Sequence, residues 1–128
     1  MENNETNQTR KKFVNLSNHL SDRWTEEQMK AASEYGEVVD MQFPNIEPAA
    51  SSEEVALLAA QYVDKIKSIG VPQDTTVHVM GEFVFSFKVI TLLKTIGYSC
   101  VASTSERIVT ESSDHRISIY KFVRFREY

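Results

Sequence analysis

Short apolar runs alternate with longer amphipathic stretches along this chain. KKFVNLS (residues 11–17) reads as an apolar strand that runs into the polar turn NHLSDRW. Thr25 with Gln28 three residues later is a capping-box pattern, starting a helix through about Tyr35, where Gly36 can supply a left-handed C-terminal turn. EVVDMQF reads as a second strand. Two prolines keep the following loop, PNIEPAA, out of regular structure, and Ser51 with Glu54 repeats the capping box. Val55, Leu58, Ala59, Tyr62, Val63, Ile66 and Ile69 then share one face of a long helix that Gly70 and Pro72 end. The strand TTVHVM, a junction at Met80-Gly81-Glu82, a helix from Phe83 to Ile96 stopped by Gly97, and the strand YSCVAST follow. ERIVTE and RISIYKFVRFREY flank the polar turn SSDH and predict an antiparallel hairpin.

Strand and helix alternating in this order predict a parallel sheet with right-handed crossovers and helices on both faces. The expected fold is therefore α/β, a Rossmann-like three-layer sandwich with a mainly parallel sheet and a C-terminal antiparallel hairpin. Residues 12–128 form one domain on this reading, and the polar stretch before them, residues 1–11, reads as a disordered leader.

Two elements carry more than a fold needs. In the helix from Phe83, Phe85, Val89, Leu92, Leu93 and Ile96 make a stripe for the sheet, while Phe83, Phe87 and Ile90 make a second stripe on the other side. Apolar side chains left in water forgo about 1.5–3 kcal/mol each, so the second stripe predicts a partner surface, with a twofold homodimer as the commonest solution. A covering loop or hairpin would serve the same need. In the last strand, Ile117, Ile119, Val123 and Phe125 suit a core, and Arg116, Tyr120, Phe122, Arg124 and Arg126 give a basic, aromatic face. Such a face can stack bases and pair phosphates, or guard an edge against aggregation.

Composition narrows the function. With 128 residues the chain buries about two thirds of its unfolded surface in a single core. No apolar run approaches the roughly 18 residues of a membrane span, no secretory signal is present, and the cytoplasm is the expected address. Cys100 is the single cysteine, which rules out an internal disulfide and a cysteine zinc site. A net charge of −4 argues against a protein that coats long DNA or RNA, which needs many Lys and Arg contacts to phosphate, but leaves room for a small anionic ligand.

In open parallel sheets ligands bind above the carboxyl ends of the strands, where helix N-termini favour anions. That rule selects Ser17, Asn18 and His19 after the first strand, Gly81, Glu82 and Phe83 after the third, and Ser103, Thr104, Ser105 and Arg107 after the fourth. Gly81 lets a phosphate or ribose approach the backbone, or simply makes the turn. Glu82 equally complements the helix dipole. His19 is a titratable group in a polar loop at the ligand pole, His78 a core or sheet-face residue between two valines, and His115 part of an exposed turn. Three histidines so scattered make no metal site. Neither dinucleotide nor P-loop glycine pattern occurs.

CVASTSERIVTE followed by IYKFVRFREY, with LSNHLS after the first strand and VHVMGEF in the middle, resembles the small stand-alone CRISPR-associated Rossmann-fold (CARF) proteins, among which ring nucleases are found. The similarity spans Phe13 to Tyr128. It implies a homodimer that binds a cyclic oligoadenylate, cyclic tetra-adenylate foremost, across its twofold axis. It further implies cleavage without metal or cofactor, through attack of the ribose 2′-hydroxyl, which switches off type III CRISPR signalling. Larger relatives carry an appended nuclease domain, for which this length leaves no room, so the resemblance points to removal of the signal. It places Ser17, Asn18, His19, Gly81, Glu82, Ser103, Thr104 and Arg107 around the ring. Ring nucleases share no single catalytic residue, so roles are hypotheses: Arg107 on the phosphate, His19 on the 2′-hydroxyl or leaving oxygen, and Glu82 orienting ribose or adenine. A non-catalytic sensor or sponge for the same ring, and a Rossmann-like interaction or phosphometabolite-binding module, are the alternatives.

Overall fold

A computed structural model describes residues 10–128; most of the expected leader lies outside them. Strand β1 spans Lys12–Ser17, helix α1 Glu26–Ser33, β2 Glu37–Gln42, α2 Ser52–Ile69, β3 Thr75–Met80, α3 Phe83–Thr95, β4 Ser99–Glu111 and β5 Arg116–Glu127. The strands form one sheet in the order β2-β1-β3-β4-β5, parallel except for the β4–β5 pair. The α/β sandwich with its antiparallel C-terminal hairpin is thus the fold.

The helices start where the sequence provides caps. Thr25 Oγ1 accepts the Gln28 N–H at 3.2 Å. Ser51 and Glu54 close a complete capping box, with Ser51 Oγ accepting the Glu54 N–H at 3.1 Å and Glu54 Oε1 accepting the Ser51 N–H at 2.8 Å. Gly36 acts differently from a left-handed cap. Its φ is 154°, and a Cβ there would run into the backbone of Lys11, whose carbonyl accepts the Glu37 N–H at 2.9 Å. Close approach of the two chains where β1 and β2 begin is what requires glycine.

The sheet separates two cores. On one face Val14, Leu16, Val77, Val79 and Cys100 pack against α2 (Val55, Ala59, Val63, Ile66) and α3 (Phe85, Val89, Leu93). Burial pushes the Cys100 thiol up to about 11, so it stays protonated as one more apolar filler. On the other face Phe13, Val101 and Phe125 pack with Ala32 of α1, Trp24 and Phe122. Helices on both faces make the three layers.

Two sequence expectations change. First, YSCVAST and ERIVTE belong to one strand, β4, because β5 pairs along its whole length, from Val101–Glu127 to Glu111–Arg116. β3 supports β4 only from Ser99 to Val101, so the rest of the pair projects as a two-stranded arm. A bulge between Thr104 and Ser105 leaves Val123 without an opposite number and reverses the alternation of β5. Ile117, Ile119 and Val123, expected in the core, are exposed, while Phe125 is buried. The basic face is divided too: Tyr120 and Phe122 lie across from Arg107 and Ser105 on one side, and Arg124 and Arg126 lie across from Thr104 and Ala102 on the other. Second, α3 buries Phe85, Ser86, Val89 and Leu93, leaving Leu92 and Ile96 exposed on one flank. The second stripe is confirmed in part: Phe83 is 89% and Phe87 71% exposed, whereas Ile90 packs against the core.

Candidate functional site

The chain crosses from one side of the sheet to the other between β1 and β3, since β1 leads through α1 to β2 and β3 leads through α3 to β4 on the opposite side. At such a crossing point the connections diverge and leave a crevice beyond the strand ends. A cleft of about 520 Å³ lies there, lined by Ser17, Asn18 and His19 after β1, Met80 and Gly81 after β3, Ser103 and Ser105 of β4, Tyr120 of β5, and Arg23, Trp24, Gln28 and His78.

A row of polar side chains lies beneath it. Asp40, Asn15 and His78 stand in register on β2, β1 and β3. Asn15, 1% exposed, is the hub. Its Nδ2 donates to the His19 carbonyl and to Asp40 Oδ1, both at 2.9 Å, while its Oδ1 lies 2.8 Å from Ser17 Oγ and 2.9 Å from His78 Nδ1. Two acceptors around Nδ2 fix the amide orientation, and an amide oxygen cannot donate, so His78 Nδ1 carries the hydrogen. Burial holds the His78 imidazole down at about 4, keeping it neutral. Partial burial raises the Asp40 carboxyl, but the bonds from Asn15 and from Ser21, whose Oγ donates at 2.7 Å, outweigh it and leave the carboxyl below its usual range. Through Asn15 and Ser17 the row fixes the turn that carries His19.

The cleft gathers six of the ten residues picked from sequence: Ser17, Asn18, His19, Gly81, Ser103 and Ser105. Ser103 is held from β3, its N–H and Oγ lying 3.2 and 3.0 Å from Met80 Sδ. Gly81 has its own reason to lack a side chain, because a Cβ would overlap the Phe43 ring, which packs edge-on to Phe85 in the core beyond. The other four lie outside the lining. Glu82 caps α3, its Oε1 accepting the Phe85 N–H at 2.7 Å, so this helix end already carries a negative charge. Phe83 points its exposed ring to the other side of α3. Thr104 Oγ1 accepts the Arg124 N–H at 3.2 Å and stitches the bulge. Arg107 lies farther along the arm, donating to Ser118 Oγ at 3.1 and 3.3 Å, opposite Tyr120.

Sequence reasoning missed Arg23 and Trp24, read only as part of the polar turn NHLSDRW, and Gln28, read only as the capping-box partner of Thr25. The segment before Trp24 folds as a short 3-10 turn, Ser21–Arg23, anchored by Asp40, and this turns Arg23 and Trp24 back over the cleft. The one available signal was the chain's single tryptophan, placed at the end of the polar turn that follows the first strand at the ligand pole. Tyr120 had been read as a base-stacking candidate and His78 as a core histidine; His78 is both core and cleft floor.

The arrangement offers a guanidinium and an imidazole, small hydroxyls, and two aromatic rings. That combination suits a ligand with anionic and flat heteroaromatic parts. Among the described residues no group of three or more His, Cys, Asp or Glu stands together as a metal site, and no helix is long and apolar enough to cross a membrane. No curated protein and no solved structure matches the chain. Residues 11–126, from the start of β1 almost to the end of β5, match the family described as Uncharacterized protein MJ1673 family, and the chain belongs to it.

Proposed function

We propose that this protein binds a cyclic oligoadenylate in the crossing-point cleft and opens the ring, acting in the prokaryotic cytoplasm as a CRISPR-associated ring nuclease. The observation that carries the reading is the pairing of Arg23 and His19 with the aromatic faces of Trp24 and Tyr120 around one cleft. The guanidinium suits a phosphate, the imidazole offers a proton-transfer group, and the rings suit the adenines. In the reaction the ribose 2′-oxygen attacks the adjacent phosphorus, the bond to the 5′-oxygen breaks, and the products carry a 2′,3′-cyclic phosphate and a 5′-hydroxyl. The 2′-hydroxyl proton leaves to a base and the 5′-oxygen gains one. His19, exposed at the cleft, takes one of these roles. Arg23 neutralises the phosphate, a role first given to Arg107; Arg107 serves a neighbouring nucleotide from the arm.

A homodimer belongs to the same proposal. Phe83 and Phe87 flank an apolar groove of about 770 Å³ that shares Met80 and Gly81 with the cleft, so a second copy seated there joins two clefts into one ring-sized surface. Incubation with cyclic tri-, tetra- and hexa-adenylate, followed by mass analysis, tests the reading. The expected products are linear fragments with cyclic phosphate ends. His19→Ala should slow cleavage about 100-fold, in the usual range for losing a proton-transfer group. Phe87→Asp should give a monomer by sedimentation with weakened binding. Tight binding with all rings intact would identify a sponge, and no thermal shift with any ring would overturn the proposal.

A further inference from the structure

One atom at the cleft floor has no task in the fold. His78 is 2% exposed and lines the cleft, yet among the described residues its Nε2 has no hydrogen-bond partner, while Nδ1 is committed to Asn15. With the hydrogen on Nδ1, Nε2 is a bare lone pair. Buried polar atoms are nearly always satisfied, so a lone one at a binding cleft calls for a partner that arrives from outside.

Its surroundings define that partner. Phe13 stacks on the imidazole at 6.0 Å between ring centroids, and Trp24 and Phe125 meet it edge-on at 5.8 and 5.3 Å. A site walled by aromatic rings and floored by an acceptor fits a flat, weakly polar group with an N–H on its edge. It does not fit a phosphate oxygen, which would oppose one lone pair with another.

We infer that His78 reads the base: its Nε2 accepts a hydrogen bond from the exocyclic amine of an adenine that enters beside Trp24. This rests on the oligoadenylate reading of the cleft and adds the residue that selects adenine. Because Nε2 is closed off in the free protein, the rings around it have to give way to the entering base, and a base seated beside Trp24 changes the environment of the chain's only tryptophan.

Tryptophan-fluorescence titration of the full chain tests the inference, comparing cyclic tetra-adenylate with the same ring built from purine lacking the exocyclic amine. The wild-type protein should bind the purine ring roughly tenfold to a hundredfold more weakly, the range for one buried acceptor left unpaired. His78→Phe should bind the two rings equally. Nitrogen-15 spectra of the wild-type protein supply a readout that needs no variant: the Nε2 resonance should move upfield with the adenine ring and stay in place with the purine ring. Equal wild-type affinity for both rings with Nε2 unmoved would overturn base reading and leave the cleft's ligand class standing. Failure of both rings to bind, with the tri- and hexa-adenylate rings failing as well, would remove the ligand reading and base reading together.

Discussion

Replacing Asn15 by leucine should lower stability by about 3–5 kcal/mol, a drop of roughly 10–15 °C in melting temperature for a domain of this size. Leucine has the same branched four-atom side-chain skeleton as asparagine, so no cavity opens and the loss comes from hydrogen bonding. Asn15 satisfies Ser17 Oγ, His78 Nδ1, Asp40 Oδ1 and the His19 carbonyl at once. His78 Nδ1 is buried and loses its partner, and such a donor carries a desolvation penalty of about 1–3 kcal/mol, while Ser17 Oγ is left with the His19 carbonyl alone. The His19 turn loses the Asn15 side-chain bond to its carbonyl as well, while Ser21 keeps its bonds to Asp40. Thermal melts of wild type and Asn15→Leu measure the effect; a difference under about 3 °C would show that the row does not hold the ends of β1, β2 and β3 together.

Acidification should weaken the protein in a window set by His78. Its folded value is about 4, below the ordinary 6.5, so the unfolded chain takes up this proton first. The contribution of neutral His78 is therefore complete above about pH 6.5 and is lost as pH falls toward 4. The full span corresponds to about 3 kcal/mol, of which about 2 kcal/mol is gone by pH 5. Desolvation is the cause, and the Asp40 carboxylate is separated from the ring by Asn15. Asp40 and Glu54, both held below the usual carboxylate range, give up their contributions at lower pH, as each is protonated below its ordinary value. Urea unfolding at pH 7.5 and pH 5.0 should show the loss in wild type and a much smaller one in His78→Phe. Parallel behaviour of the two proteins would exclude His78 as the source.

The sheet and the helix starts were readable because each is written locally. Val55, Ala59, Val63 and Ile66 repeat with the helix period, and Ser51 with Glu54 states where α2 begins. Helix α3 was harder, since apolar residues surround it and its phase is set by what the sheet covers; Ser86 is inside and Leu92 outside against their polarity. The β5 alternation failed at Val123 because a bulge depends on the partner strand and has no signature in the strand itself. For the site, the strand-end rule found Ser17, Asn18 and His19 after β1, Gly81 after β3, and Ser103 and Ser105 on β4. It could not find Arg23 and Trp24, which arrive by the folding back of a turn, and it overreached at Thr104 and Arg107 because β4 continues where a strand end was expected.

Beyond Val101, among the described residues, the β4–β5 arm has neither a third strand to brace it nor a second layer over its outer face, where Ile108, Ile117 and Ile119 are exposed. Two-stranded ribbons on their own are marginal in water, so backbone amides toward the tip should trade hydrogen for deuterium far sooner than those of β1 and β3. Its inner side also carries Tyr120, 68% exposed at the rim of the cleft. The arm is thus a soft finger rooted in a rigid palm, and whatever presses Tyr120 against the palm will announce itself as slowed exchange along the finger.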